Sequence, residues 1–209
     1  MSEPWTRPLQ EGRLVMAMIR HGQCAWNAER RFVGKTDVPL DEVGRAQARF
    51  LADHLPRGFD AVYSSPLKRA MQTADALTPP ASRVVGTLAE LDQGELEGLA
   101  PDVAFERFPA FFAAWKRDPS SMPCPGGESL QACQDRALAS LEHIRQQHSG
   151  GQLVAVVSHQ IVMSAITLSV VGERLGSWKQ HFVGNTALTV LSWSDGKWRL
   201  EAENWQITE

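Results

Sequence analysis

Two stretches of the chain, Leu14–Ile19 and Leu153–Val157, are apolar without a polar interruption. Continuous runs of this length suit strands buried on both faces of a sheet, and the second extends to Ser158. Four further segments read as strands: Asp60–Ser65, Arg83–Val85, Thr186–Trp193 and Lys197–Asn204. The last two alternate, and Ser194-Asp195-Gly196 between them predicts a hairpin at one sheet edge. Helical spacing occupies the intervals. Asp41–Leu55 carries apolar residues at Val43, Ala46, Phe50, Leu51 and Leu55. Pro66–Leu77 reads as a helix with Ser65 as its cap and Pro66 at its first position. Glu128–Gln147 and Gln160–Val171 follow the same period. Residues 99–127 are less regular, aromatic at first and then rich in Pro and Gly. No repeat, linker or low-complexity tract interrupts the pattern. Strands alternating with helices predict one α/β domain over residues 1–209, its largely parallel sheet covered on both faces.

Composition narrows the function classes. The 209 residues carry a formal net charge of −3, which gives nucleic-acid binding no support. The chain opens M-S-E-P-W-T-R-P, without the apolar core of a signal peptide, and no run reaches the roughly 20 residues of a membrane span. Cys24, Cys124 and Cys133 are odd in number and unpaired by spacing, so reduced thiols in a cytoplasmic protein are expected rather than disulfides or a zinc site.

In an open α/β sheet, ligands gather beyond the carboxyl ends of the strands. Three strands here end in polar residues: Arg20-His21, Ser64-Ser65 and Ser158-His159. Arg69 follows the second of them. A phosphate monoester is largely dianionic near neutrality, its second pKa being about 6. Arginine suits it because a planar, permanently charged fork bonds two oxygens at once. The helix beginning near Ser65-Pro66 is expected to add oriented N–H groups. A neutral imidazole can attack phosphorus, and neighbouring guanidinium groups disfavour a second cation, which predicts a neutral His21. The backbone carbonyl in the turn at Gly22 would fix its tautomer. His159 would donate to the transferring oxygens. Glu90, after the third strand, is the candidate acid for the leaving alkoxide. The arginines are expected to depress its pKa in the empty site and a bound dianion to raise it.

The chain resembles the histidine phosphatase superfamily in its phosphoglycerate-mutase-like branch. The resemblance rests on R-H-G-Q-C-A-W-N at 20–27, G-K-T-D-V-P-L-D-E-V-G at 34–44 and S-S-P-L-K-R-A-M-Q-T-A at 64–74. L-A-E-L-D-Q-G-E-L-E-G at 88–98, P-G-G-E-S at 125–129 and S-H-Q at 158–160 add to it. It implies a phosphoglycerate-mutase-like three-layer α/β/α sandwich and His21 as the phosphorylated nucleophile. It further implies Glu90 as proton donor and Arg20, Arg69 and His159 as the phosphate pocket, with Asn27 as an outer contact. No metal and no cofactor are implied. Gln160 stands where many members have Gly and is expected to narrow the pocket floor as a substrate contact. Cys24 replaces a Thr or Ser and is assigned no phosphate contact.

Rival readings exist for several of these residues. Glu95 and Glu97 compete with Glu90 as the acid, and Asn27 could serve only as a cap for the next turn. Cys24 and Arg30 have the C-x5-R spacing of cysteine-dependent phosphatases, but Trp26 and Glu29 between them fit poorly around a dianion. His54, His143 and His148 read as surface residues, and His181 in K-Q-H-F-V-G-N-T could reach the site, a surface role being the favoured reading. Trp115 and the phenylalanines before it could form either a lid or plain core. The expected activity is a metal-independent phosphatase acting on small organic phosphate monoesters through phosphohistidine, with 99–127 as its specificity cap. The alternatives are a phosphoglycerate mutase and an α-ribazole-phosphate phosphatase. The mutase reading is weakened because the segment after Glu90 is acidic where the mutases carry a basic, aromatic one. The partner is a small-molecule phosphate ester, and the C-terminal hairpin offers an edge for a homodimer.

Overall fold

The computed structural model describes residues 3–55, 59–77 and 81–207. Six strands form one sheet: β1 (Leu14–Arg20), β2 (Ala61–Ser64), β3 (Arg83–Val84), β4 (Leu153–Ser158), β5 (Leu188–Ser194) and β6 (Lys197–Trp205). Their order is β3-β2-β4-β1-β5-β6. The pairs β1–β4, β2–β4 and β2–β3 are parallel, while β5 runs antiparallel to both β1 and β6. Five strands thus point one way, and β5 alone is reversed.

The two continuous apolar runs are the central neighbours β1 and β4, buried along their whole length. Alternate residues of these strands belong to two separate cores, as the pleat requires. Met16, Met18, Val154 and Val156 pack beneath α7 (Leu130–Gln146) and α8 (Gln160–Val171). Val15, Ala17, Ile19, Ala155 and Val157 pack on the other face, against Leu51 of α3 (Glu42–His54) and Ala70 and Ala74 of α4 (Lys68–Ala76). Helix, sheet and helix make the three layers. Residues Ile161–Leu168 of α8 are all buried, which explains a helix apolar all round.

Local chemistry sets the element ends. Asp41 caps α3 by accepting the Gly44 N–H at 2.7 Å, and Ser129 caps α7 by accepting that of Ala132 at 3.1 Å. In the β5–β6 turn, Asp195 and Gly196 both lie in the left-handed region, as a two-residue hairpin requires. Thr186 also has a left-handed φ of 57°, so β5 starts at Leu188 and not at Thr186.

Three expectations need correction. First, α4 starts at Lys68, not at Pro66. The Asp37 carboxylate accepts the Lys68 N–H at 2.7 Å, so a side chain distant in sequence, not Ser65, receives that N–H. Second, residues 99–127 contain two short helices, α5 (Pro101–Arg107) and α6 (Pro109–Arg117), each opened by proline. Short helices α1 (Thr6–Gln10) and α2 (Ala25–Ala28) were likewise absent from the sequence pattern. Third, His148 is half-buried, its Nε2 3.0 Å from the Tyr63 hydroxyl.

One close approach fixes the turn after β1. A Cβ on Gly22 would lie 2.6 Å from the Gly44 carbonyl oxygen, and one on Gly44 would lie 1.9 Å from that of Gln23. Both clashes are with backbone, so neither relaxes by a side-chain rotation. Gly44→Ala should cost about 2–3 kcal/mol of stability in denaturant titrations. It should also displace the His21–Gln23 turn; unchanged stability would show that α3 does not fix it.

Candidate active site

The pairing register builds the site. Arg20 lies beside Ser158 across the parallel β1–β4 ladder, so the next residues, His21 and His159, emerge side by side. Their ring centroids are 5.1 Å apart. Ser64 of β2 sits against Val157 of β4, which delivers Ser65 to the same place. The polar ends of three strands thus meet at one point.

His21 is nearly fully buried. Its Nδ1 lies 2.7 Å from the Gly22 carbonyl, which accepts the Nδ1–H and so leaves the lone pair on Nε2. That nitrogen accepts from Arg69 Nε at 3.2 Å. Burial holds the His21 pKa well below its ordinary value, and Arg69 and Arg20 push in the same direction. The ring is a neutral imidazole with its free electron pair facing a guanidinium. Asn185 Nδ2 donates to the His21 carbonyl at 2.9 Å, and Thr73 Oγ1 accepts from the Gly22 N–H at 3.0 Å.

Both arginines are tied by backbone carbonyls, which restrain without neutralising. Arg69 is fully buried and donates to the Gly34 carbonyl at 2.6 Å and the Thr36 carbonyl at 2.8 Å. Glu97 holds that loop, accepting from the Lys35 N–H at 2.8 Å and the Thr36 N–H at 2.7 Å. Arg20 donates from Nη1 to the Val183 carbonyl at 2.7 Å and stacks 5.5 Å from the Phe182 ring centre. Its Nε is buried without a partner among the described residues.

His159 is also fully buried, and its pKa is held well below the ordinary value by burial and then by Arg69. Its Nε2 lies 2.7 Å from Ser65 Oγ. The Leu67 N–H donates to the same oxygen at 3.3 Å, and the second ring nitrogen is Nδ1. That Nδ1 has no partner among the described residues. His159 is also the N-cap residue of α8.

Glu90 is buried at the start of α8. One carboxylate oxygen accepts the Leu91 N–H at 2.8 Å and the other the Ile161 N–H at 3.2 Å. The expected depression of its pKa is not what the structure gives: the pKa is raised. Desolvation outweighs the two N–H bonds and both arginines. The helix N-terminus at the site also belongs to α8 rather than α4. Sequence reasoning missed the clamp on this loop. Arg136 donates to the carbonyls of Thr87 at 2.8 Å and Glu90 at 3.0 Å, and its Nε pairs with Glu128 at 3.1 Å. The P-G-G-E-S segment, which contains Glu128, was the available signal.

The remaining candidates sort by contact. Asn27 lines an open cavity of about 360 Å³ together with Arg20, Phe182 and Asn185. Its Oδ1 also caps α2, accepting the Cys24 N–H at 3.2 Å, so cap and cavity wall are one residue. Gln160 is turned away from the expected pocket floor. Its amide donates to Ser164 Oγ at 2.9 Å and accepts the Val183 N–H at 2.8 Å, bracing the segment that holds Arg20. Among the rival acids, Glu97 is the loop clamp described above and Glu95 reaches Arg107 at 3.3 Å on the surface. Cys24 is buried, and burial raises its thiol pKa, while Arg30 is exposed and α2 separates the two. That geometry is not a thiolate phosphate loop. Cys124 and Cys133 are likewise free and buried. His181 is buried, not at the surface: its Nδ1 lies 2.8 Å from Glu203 and its Nε2 3.4 Å from Glu173. Burial opposes its charge, but these carboxylates outweigh burial and raise its pKa.

Known proteins share this arrangement's sequence and fold. Phosphoserine phosphatase 1 of Hydrogenobacter thermophilus is 32% identical over 180 residues, covering 84% of this chain and 85% of that protein. The metal-independent phosphoserine phosphatase of Arabidopsis thaliana is 32% identical over 194 residues, covering 90% and 79%. The solved structure of YhfR from Bacillus stearothermophilus superposes with a TM-score of 0.84 at 26% identity, covering 93% of this chain and 98% of that one. Residues 16–206 match the family described as the histidine phosphatase superfamily (branch 1). With that match and these relatives, the chain is a member of the histidine phosphatase superfamily and an enzyme of the phosphoric monoester hydrolase type.

Proposed function

We propose that the chain hydrolyses small organic phosphate monoesters through a phosphohistidine at His21, without a metal ion. The observation that carries this reading is the lone pair on His21 Nε2, fixed by the Gly22 carbonyl and set against Arg69. In the first step Nε2 attacks phosphorus and the ester P–O bond breaks. Arg20, Arg69 and the Nδ1–H of His159 receive the equatorial oxygens, so catalysis is mainly electrostatic stabilisation of the phosphoryl group in flight. Glu90 gives its proton to the leaving alkoxide. A raised pKa suits that role, since the group must still hold a proton near neutral pH. In the second step water attacks phosphorus, the P–N bond breaks, and Glu90 takes the proton of the water. Inorganic phosphate leaves and the starting protonation states return. Residues 99–127 act as the specificity cap. Phosphoserine enters the candidate substrates through the names of the relatives.

His21→Ala should lower kcat/KM by about 10³-fold or more on a panel of monoesters assayed in EDTA. It should also abolish the acid-labile phosphoryl label on the protein, whereas Cys24→Ser should retain both. Isomerised phosphoglycerate without phosphate release would establish a mutase instead.

Glu90→Gln should slow alkyl phosphates by about 10²- to 10⁴-fold and p-nitrophenyl phosphate far less, because nitrophenolate needs no proton. In the wild type, kcat/KM should fall as pH rises through the elevated Glu90 pKa. That limb should vanish in Glu90→Gln; an unchanged limb would exclude Glu90 as the donor.

Burial of the two neutral rings also has a cost in acid. The unfolded chain protonates His21 and His159 near pH 6.5, whereas the folded chain does so only at lower pH. Between those values the unfolded state binds more protons, so stability falls as pH falls. The slope should approach about 1.4 kcal/mol per pH unit for each ring, and His159→Gln should remove one ring's share.

A further inference from the structure

A second cavity lies beside Glu90. It is about 140 Å³ and walled by Phe111, Phe112, Trp115 and Trp178. Leu91 and Ile161 also line it, and their N–H groups are the two that hold the Glu90 carboxylate. Phe32 is a common wall between this cavity and the one that contains Arg20 and Asn27. The aromatic chamber therefore shares one wall residue with the outer cavity, and two of its lining residues carry the N–H groups that hold Glu90.

Gln93 and Lys179 are the polar side chains of the chamber wall, and Lys179 Nζ lies over the Trp178 ring, 5.6 Å from its centre. Gln93 is 9% exposed and lines the cavity. Its Oε1 is buried and meets no donor among the described residues. A buried amide oxygen without a partner has given up its hydration for nothing, a loss that a ligand donor would relieve. The size is equally informative, since an apolar cavity of about 150 Å³ holds one benzene ring.

We propose that this chamber is the leaving-group subsite, and that the preferred substrates are phosphate monoesters of alcohols bearing one aromatic or compact apolar ring with a hydrogen-bond donor. The proposal rests on the phosphatase reading in one respect: the acid protonates the leaving oxygen, so the organic part of the ester lies on the Glu90 side. The ring enters between Phe32 and the α6 aromatics Phe111, Phe112 and Trp115. Its N–H or O–H donates to Gln93 Oε1.

The test separates binding from turnover. Benzylphosphonate and ethylphosphonate cannot be hydrolysed, and Trp115 and Trp178 in the chamber wall report occupancy by fluorescence. Benzylphosphonate should bind at least about tenfold more tightly, reflecting burial of the ring. Benzyl phosphate should exceed ethyl phosphate in kcat/KM by a similar factor, both being esters of primary alcohols. A hydroxymethyl substituent on the ring should improve binding over a methyl substituent in the wild type, and Gln93→Leu should collapse that ratio to about one. Gln93→Leu replaces the amide, whose buried oxygen is unpaired among the described residues, by an apolar group of similar size, so it should fold normally by thermal denaturation. Equal affinities and equal kcat/KM for the benzyl and ethyl compounds would overturn the subsite while leaving the phosphatase reading intact. A methyl-to-hydroxymethyl ratio unaffected by Gln93→Leu would overturn the role of the amide. Ring-selective binding with no turnover of any ester would support the subsite and overturn the phosphatase reading.

Discussion

The contact between Arg69 and His21 is the constraint around which the site is organised. A fully buried guanidinium is expensive to desolvate, and among the described residues no carboxylate pairs with it. Two backbone carbonyls and one imidazole nitrogen satisfy it instead. Carbonyls hold the side chain in place without cancelling its charge, which stays available to an incoming anion. The need for those carbonyls explains the otherwise peripheral loop at Gly34–Thr36. Glu97 holds the loop and the loop holds Arg69. Thr73 then ties the Arg69 carbonyl at 2.7 Å to the Gly22 N–H at 3.0 Å, linking the first turn of α4 to the nucleophile's own turn.

Burial then does opposite things to opposite kinds of group, and both suit the chemistry. It lowers the pKa of His21 and His159 because their charged form is the cation. The same removal of water raises that of Glu90, whose charged form is the anion. The proposed nucleophile and the proposed acid are thus shifted toward the protonation states the proposed reaction needs by one physical cause. The arginines reinforce the first effect and oppose the second, yet they lose to desolvation at Glu90. Judging that carboxylate from the charges around it, without its depth, gives the wrong sign.

What the sequence made legible follows from this. The central strands β1 and β4 were readable because burial on two faces leaves an unbroken apolar run, and β5 and β6 because a hairpin leaves Asp-Gly. The convergence of Arg20, His21, Ser65 and His159 was readable because strand tips in a parallel sheet share one end. Side-chain partners several tens of residues apart leave no periodic trace. Asp37 as acceptor for the first N–H of α4, Arg136 clamping the Glu90 loop and Glu97 bracing the Arg69 carbonyls belong to that class. Gln160 shows the same limit. Its position next to His159 suggested a pocket floor, but the first turn of α8 carries its amide toward Ser164 and Val183. His181 reads as a surface residue in K-Q-H-F, and only the fold brings Glu203 and Glu173 to its two nitrogens.

Gln160 and His181 together show how the far wall of the site is held. The Val183 carbonyl fixes Arg20, and the Val183 N–H is held by Gln160. The His181 carbonyl accepts from Ser164 Oγ at 2.6 Å and from Gln160 Nε2 at 3.2 Å. Residues 181–183 are therefore bound to the first turn of α8, the turn that also provides the Ile161 N–H to Glu90. Cation, acid and second histidine share one rigid support. The same helix end that fixes the acid fixes the distance from the acid to Arg20. A substitution that shifted α8 would move Glu90 and the Arg20 side of the candidate site together, while Arg69, anchored through α4 and the Gly34–Thr36 loop, would stay with His21.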